Sequence, residues 1–195
     1  VPGPPRLSSG PQTMADPDQD SAPAPAPGSA LFSLSQIRHL MRVEFSRAQR
    51  YRYPLAVLVI AVDRLRTLRE LYGFEAAAEL RTRLVALLEA GARVCDYLGR
   101  LVDDRLVLVL PHTDRAGVES AARRYLEGAK QTPLVLPAGQ VPFSLSIGAA
   151  LYDGGPEVLF FESLLERAEA ACAAALAAGG DRLELAAAPG GEARR

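Results

Sequence analysis

Apolar positions first recur at helical steps from Leu31 onward, where Leu34, Ile37, Leu40, Met41 and Phe45 are separated by three or four residues, with arginines and Glu44 between them. This predicts an amphipathic helix ending near Tyr51. Pro54 opens the run LAVLVIAV, whose nearly continuous β-branched and apolar character predicts a central strand covered on both faces. Asp63 ends that run, placed either as a functional carboxylate at a strand terminus or as a cap for the next helix. A long helix follows from Leu65 to Ala90, with Gly73 as its one point of interruption.

Between Arg93 and Pro111 the pattern shortens to a turn, a short strand, the polar pair Asp103 and Asp104, and the strand LVLVL, which together predict a β-hairpin. Thr113 or Asp114 caps a third helix running to about Lys130. Residues 131–142 are proline-rich and serve as a connection. In FSLSIGAALY the alternation of Phe143, Leu145 and Ile147 with Ser144 and Ser146 predicts a strand with one buried face. The loop DGGPE leads to a last helix, Leu159 to Ala178, stopped by Gly179 and Gly180, and DRLEL reads as a final edge strand. The elements predict an α/β fold, a mixed sheet of about five to six strands with helices packed around it.

Composition adds limits. Of 195 residues, 49% are hydrophobic and 23% charged, which fits one domain of about 150 to 170 residues plus tails. Residues 1–29, rich in Pro, Ala, Gly and Ser, and residues 187–195 are expected to be disordered, leaving 30–186 as the domain. Met14 is a candidate natural start. A net charge of −1 gives no bulk electrostatic case for nucleic acid or a membrane as partner. Lys130 is the only lysine, every other basic side chain besides the two histidines being arginine. Cys95 and Cys172 lack metal-ligand spacing and are expected as reduced thiols. With no bilayer-length apolar run and no signal sequence at the N-terminus, the expected location is the cytoplasm.

His39 and His112 have no partner at metal-binding spacing, and Ser144 and Ser146 have no base nearby in sequence, so neither pair is read as a reactive centre. Arg93 and Asp96, three apart at a turn, read on their residue types alone as a solvated ion pair.

The order of elements, with RAQRYRYPLAVLVIAVDRLRTLRELYGF, RLVDDRLVLVLPHTD, LSIGAA and RAEAACAAALAAGGDRLEL, resembles the GGDEF domain of bacterial diguanylate cyclases, which condense two GTP into cyclic di-GMP. The resemblance implies a GGDEF-like, nucleotidyl-cyclase palm-like sheet. It also exposes departures. The five signature positions are Val102, Asp103, Asp104, Arg105 and Leu106, without either glycine; the family's first metal-binding aspartate falls on Ala61. Its guanine-reading asparagine and aspartate fall on Arg69 and Ala78, and its phosphate-facing lysine on Leu176. These departures imply a catalytically inactive, degenerate domain: not an enzyme, with no catalytic residues, no metal and no cofactor.

The family's allosteric Arg-x-x-Asp motif stands at Arg93 and Asp96, six residues before Val102 as the family spacing requires, and Arg124 and Arg47 fall where the family places further arginines for the same ligand. The implied function is a cyclic di-GMP receptor that relays the signal to a protein partner, with ligand-dependent homodimerisation as a further implication. The alternative is a nucleotide-independent protein-interaction scaffold.

Overall fold

The computed structural model describes residues 31–137, 139–155 and 160–187. The N-terminal segment expected to be disordered, residues 188–195 of its C-terminal counterpart, and residues 156–159 of the DGGPE loop and the start of the last helix lie outside them.

Eight successive residues, Leu55–Val62 (β2), are all buried, and they occupy the middle of a six-stranded sheet. Such a run has no solvent face, so both sides must be covered. β2 pairs antiparallel with Leu106–Pro111 (β4) on one side and with Leu145–Tyr152 (β7) on the other. Tyr97–Arg100 (β3) adds to β4 antiparallel, Leu31–Phe32 (β1) to β3 parallel, and Arg182–Leu185 (β8) to β7 parallel. The sheet is mixed, as expected, with DRLEL forming the edge strand β8.

Alternate residues of β2 enter two separate cores. Ala56, Leu58, Ile60 and Val62 pack with the helices Leu65–Gly91 (α2) and Arg115–Gln131 (α3). Leu55, Val57, Val59 and Ala61 pack with Leu34–Tyr51 (α1) and Phe161–Ala177 (α4). The layers are therefore α2 and α3, sheet, α1 and α4.

Local chemistry sets the helix ends. Ser33 caps α1 in a reciprocal box with Gln36, and Asp114 accepts from the Gly117 amide to cap α3. Gly73 breaks α2 with φ 86° and ψ 176°, a conformation that a side chain would strain. The helix thus has a short first part and a longer second part.

Three expectations need correction. Residues 131–142 are more than a connection, because Leu134–Leu136 (β5) and Gly139–Val141 (β6) pair as a small antiparallel hairpin. The segment from Leu31 begins with strand β1 before α1 starts. β7 is buried on both faces: Ser146 is fully buried, and the positions read as a polar face are small residues that let α4 lie close. A Cβ at Gly148 would come 2.0 Å from the Cys172 amide nitrogen and 2.3 Å from the Ala168 carbonyl oxygen, both backbone atoms of α4.

Asp63 fastens three elements where β2 ends. Its carboxylate accepts from the Ser144 hydroxyl at 2.6 Å, the Ser146 hydroxyl at 2.5 Å and the Asp181 amide at 2.9 Å, joining β2, β7 and the turn into β8. It does not cap α2, whose first turn has no side-chain cap.

Two outcomes are expected from urea denaturation. Gly148→Ala lowers stability by about 3 kcal/mol, because helix backbone cannot yield as a side chain does, whereas Gly128→Ala, opposed by the flexible tip of Leu87, costs much less. Asp63→Ala costs about 2 to 3 kcal/mol by leaving the buried Ser146 hydroxyl without its acceptor. Asp63→Ala combined with Ser146→Ala costs less than the sum of the two single changes.

Candidate functional site

Residues with candidate chemistry fall at opposite ends of the short strand β3. At its start, residues 93–96 form the turn between α2 and the sheet. The Arg93 amide donates to Asp96 Oδ2 at 2.7 Å, and the Asp96 amide donates to the Arg93 carbonyl at 3.0 Å. This closes the turn on itself and leaves Arg93, Val94 and Cys95 exposed, with Val94 at its tip. Asp96 is half-buried. Burial pushes its carboxyl above the ordinary carboxylate value, while the Arg93 amide and the charges of Arg93 and Arg124 pull the other way.

Arg124 reaches the same corner from α3. Its Nη2 donates to the Gly91 carbonyl at 2.7 Å, satisfying the C-terminal end of α2, and its guanidinium lies 5.2 Å from the Tyr125 ring centre. Arg93, Asp96 and Arg124 are thus brought together. Arg47 belongs to the other layer. It stands on α1, paired with Glu44 at 3.4 Å, and Glu44 is buried under the hydroxyls of Tyr53 (2.6 Å) and Tyr97 (3.4 Å). Burial, reinforced by Glu44, raises the pKa of both tyrosines and keeps their hydroxyls protonated. Arg47 is thus linked to the turn only indirectly, through Glu44 and then Tyr97, the residue after Asp96.

At the far end of β3, Val102–Asp104 form a single 3₁₀ turn rather than a simple two-residue reversal. Asp103 and Asp104 have φ of 69° and 67°, so the chain holds a left-handed turn without glycine, in residues whose short polar side chains tolerate it. Arg81 of α2 donates to Asp104 Oδ1 at 2.6 Å. Arg105 donates to Asp103 at 2.9 Å and to Glu169 of α4 at 3.2 Å, and these two carboxylates raise its ionisation against the lowering effect of burial.

The donor set here does not fit a pair of divalent cations, which need free oxygens converging on one point. Asp63 is engaged by three donors, Asp104 by Arg81, and position 61 is alanine. Among the described residues no three of His, Cys, Asp and Glu gather as metal ligands. Arg69 lies 5.3 Å from the Phe74 ring centre instead of contacting a carboxylate.

Sequence reasoning missed Arg81 as the partner of Asp104 and Asp63 as the partner of Ser144 and Ser146. These pairs are 23, 81 and 83 residues apart, and no local pattern links them. No described helix is long and apolar enough to cross a membrane.

A family model described as "Diguanylate cyclase, GGDEF domain" matches residues 30–182. Diguanylate cyclase DosC of Escherichia coli strain K12 is 29% identical over 147 residues, 75% of this chain and 31% of that protein. The probable diguanylate cyclase DgcC of the same strain is 27% identical over 149 residues, covering 76% and 39%. The chain spans about a third of the length of the curated relatives it matches. Among solved structures, the GGDEF domain of PA1120 (YfiN or TpbB) from Pseudomonas aeruginosa aligns with a TM-score of 0.76 at 24% identity, covering 82% of this chain and 99% of that one. The GGDEF domain of DgcB from Caulobacter crescentus, solved in complex with c-di-GMP, aligns with a TM-score of 0.75 at 15% identity, covering 81% and 90%.

These relatives correct one expectation. The chain was expected not to be an enzyme, but its curated relatives are named diguanylate cyclases, and altered residues at the signature turn do not establish a loss of activity. With the matched segment spanning all four described helices and every strand up to the start of β8, this chain belongs to the GGDEF domain family of diguanylate cyclases.

Proposed function

We propose that this GGDEF domain binds cyclic di-GMP at the turn of Arg93 and Asp96, with Arg124 and Arg47 as further ligand residues, and relays the bound state to a protein partner. The observation that carries this reading is the exposed corner where Arg93, the half-buried Asp96 carboxylate and Arg124 meet. A guanidinium fork fits the paired acceptors O6 and N7 of guanine, and a carboxylate accepts from its N1 and N2 hydrogens. The flat faces of the arginines stack on the bases, and their charge offsets the two phosphates. That DgcB, of the same fold, was solved with c-di-GMP supports the choice of ligand.

The family activity belongs to the same picture. GTP turnover with magnesium ion, measured on the same preparation, separates a receptor supplied from elsewhere from a cyclase that reads its own product. Clamping of a ligand between two domains would give a dimer that elutes earlier only when ligand is present.

Calorimetric titration is expected to show micromolar or tighter binding of cyclic di-GMP, weakened by about ten- to a hundredfold in Arg93→Ala through loss of one bidentate contact. Absence of heat in the parent protein overturns the reading.

The pH dependence follows from Asp96. Burial raises its folded pKa above the ordinary carboxylate value, so the ionised form costs stability at neutral pH. That cost is relieved as pH falls through the folded pKa toward the unfolded one. Guanine recognition needs the carboxylate, so affinity falls over the same window in which the Asp96 contribution to stability rises. Asp96→Asn is expected to remove this pH dependence from thermal unfolding and to weaken ligand binding at neutral pH without lowering the melting temperature.

A further inference from the structure

A cavity of about 600 Å³ lies beside the first part of α2, before the Gly73 break. Its helical wall includes Arg64, Leu68, Leu71 and Tyr72, spaced as the stripe that a helix normally turns inward. Here that stripe is only partly covered. Leu68 and Phe143 are buried, but Leu71 is 70% exposed and Tyr72 41% exposed. Arg69 and Ala78 do not line this cavity, so it is separate from the positions aligned with guanine reading.

Its charges are unequal. Lys130 is paired with Asp181 at 2.7 Å, and the Asp63 carboxylate is engaged by Ser144, Ser146 and the Asp181 amide. Arg64 takes part in no ion pair among the described residues. The cavity therefore offers an apolar slot with one guanidinium, Arg64, that is in no ion pair, while the Asp63 carboxylate in the same lining has its oxygens taken by neutral donors. Its volume falls within the range of about 300 to 1,000 Å³ typical of small-ligand sites.

We infer that this cavity is a second ligand site for a small amphipathic acid, its flat apolar body lying against Leu68, Leu71, Tyr72 and Phe143 and its carboxylate on Arg64. A guanidinium meets a carboxylate through two parallel hydrogen bonds, which fixes the orientation of the ligand, while the apolar walls supply the burial. The site does not depend on the turn at Arg93.

The test uses 2-naphthoate and its cationic counterpart 2-naphthylmethylammonium, titrated into the full chain and followed by amide chemical shifts. Naphthoate is expected to move the amides of Leu71, Tyr72, Phe143 and Ser144 saturably, and the cation to leave them in place. Arg64→Gln is expected to weaken naphthoate binding about tenfold. Leu71→Asp, which sets a carboxylate into an already exposed position, is expected to abolish binding with an unchanged melting temperature. Unsaturable or absent shifts at these amides, equal binding of the cation, or full naphthoate affinity in Leu71→Asp would each overturn the assignment.

Discussion

The structure depends on a strand with no polar side. Because every residue of β2 from Leu55 to Val62 is buried, the chain must supply an apolar layer on each face and a hydrogen-bonded neighbour at each edge. That constraint places α2 and α3 on one face and α1 and α4 on the other, and it moves polar chemistry to the ends of the strands. Asp63 is the first polar residue after β2, and its carboxylate does at one point what the apolar run does along its length. It holds the start of β7 and the turn into β8 against the central strand.

The signature end and the Arg93 end of β3 solve their electrostatics differently. At Val102–Asp104 the acidic residues are met by Arg81 of α2 and by the adjacent Arg105, which also pairs with Glu169, so the turn is tied to α2 through Arg81 and to α4 through Arg105. These pairs are partly exposed, so each contributes little to stability, about 0 to 1 kcal/mol. Their main effect is to fix the position of the turn. At residues 93–96 the carboxylate is met by a backbone amide of its own turn, which leaves Arg93 exposed, while Arg124 is held by the Gly91 carbonyl. One end pairs its cations with carboxylates, and the other keeps Arg93 exposed.

Much of the fold was legible because its signals are local and periodic. Uninterrupted apolar residues gave β2, three- and four-residue spacing gave α1 and α3, and Gly73 marked the break in α2. Signals that depend on distant neighbours were misread. Ser146 looked like an exposed position of β7, but alternation reports only the polarity of a side chain; a small hydroxyl under α4 with Asp63 as acceptor is as well buried as an alanine. The two-residue strand β1 and the β5–β6 hairpin are too short to show a period of their own. At the candidate site, sequence could not show that Arg124 reaches the end of α2 from α3 while Arg47, on α1 in the opposite layer, is held by Glu44.

That difference in approach matters for how the turn could influence the rest of the domain. Arg124 binds the end of α2, so a ligand drawing its guanidinium outward competes with the Gly91 carbonyl for the same donor. On the other face, Tyr97 follows Asp96 directly and donates to Glu44, which is buried in α1 and also held by Tyr53. A buried carboxylate with several donors cannot lose one without a cost that its neighbours must absorb, so a displaced Tyr97 is felt in α1 rather than dissipated in solvent. The turn is therefore flanked by two hydrogen bonds, one joining α3 to the end of α2 just before it and one joining Tyr97 just after it to α1. Because β3 is only four residues long, from Tyr97 to Arg100, the same movement reaches the signature turn through a strand of about 13 Å.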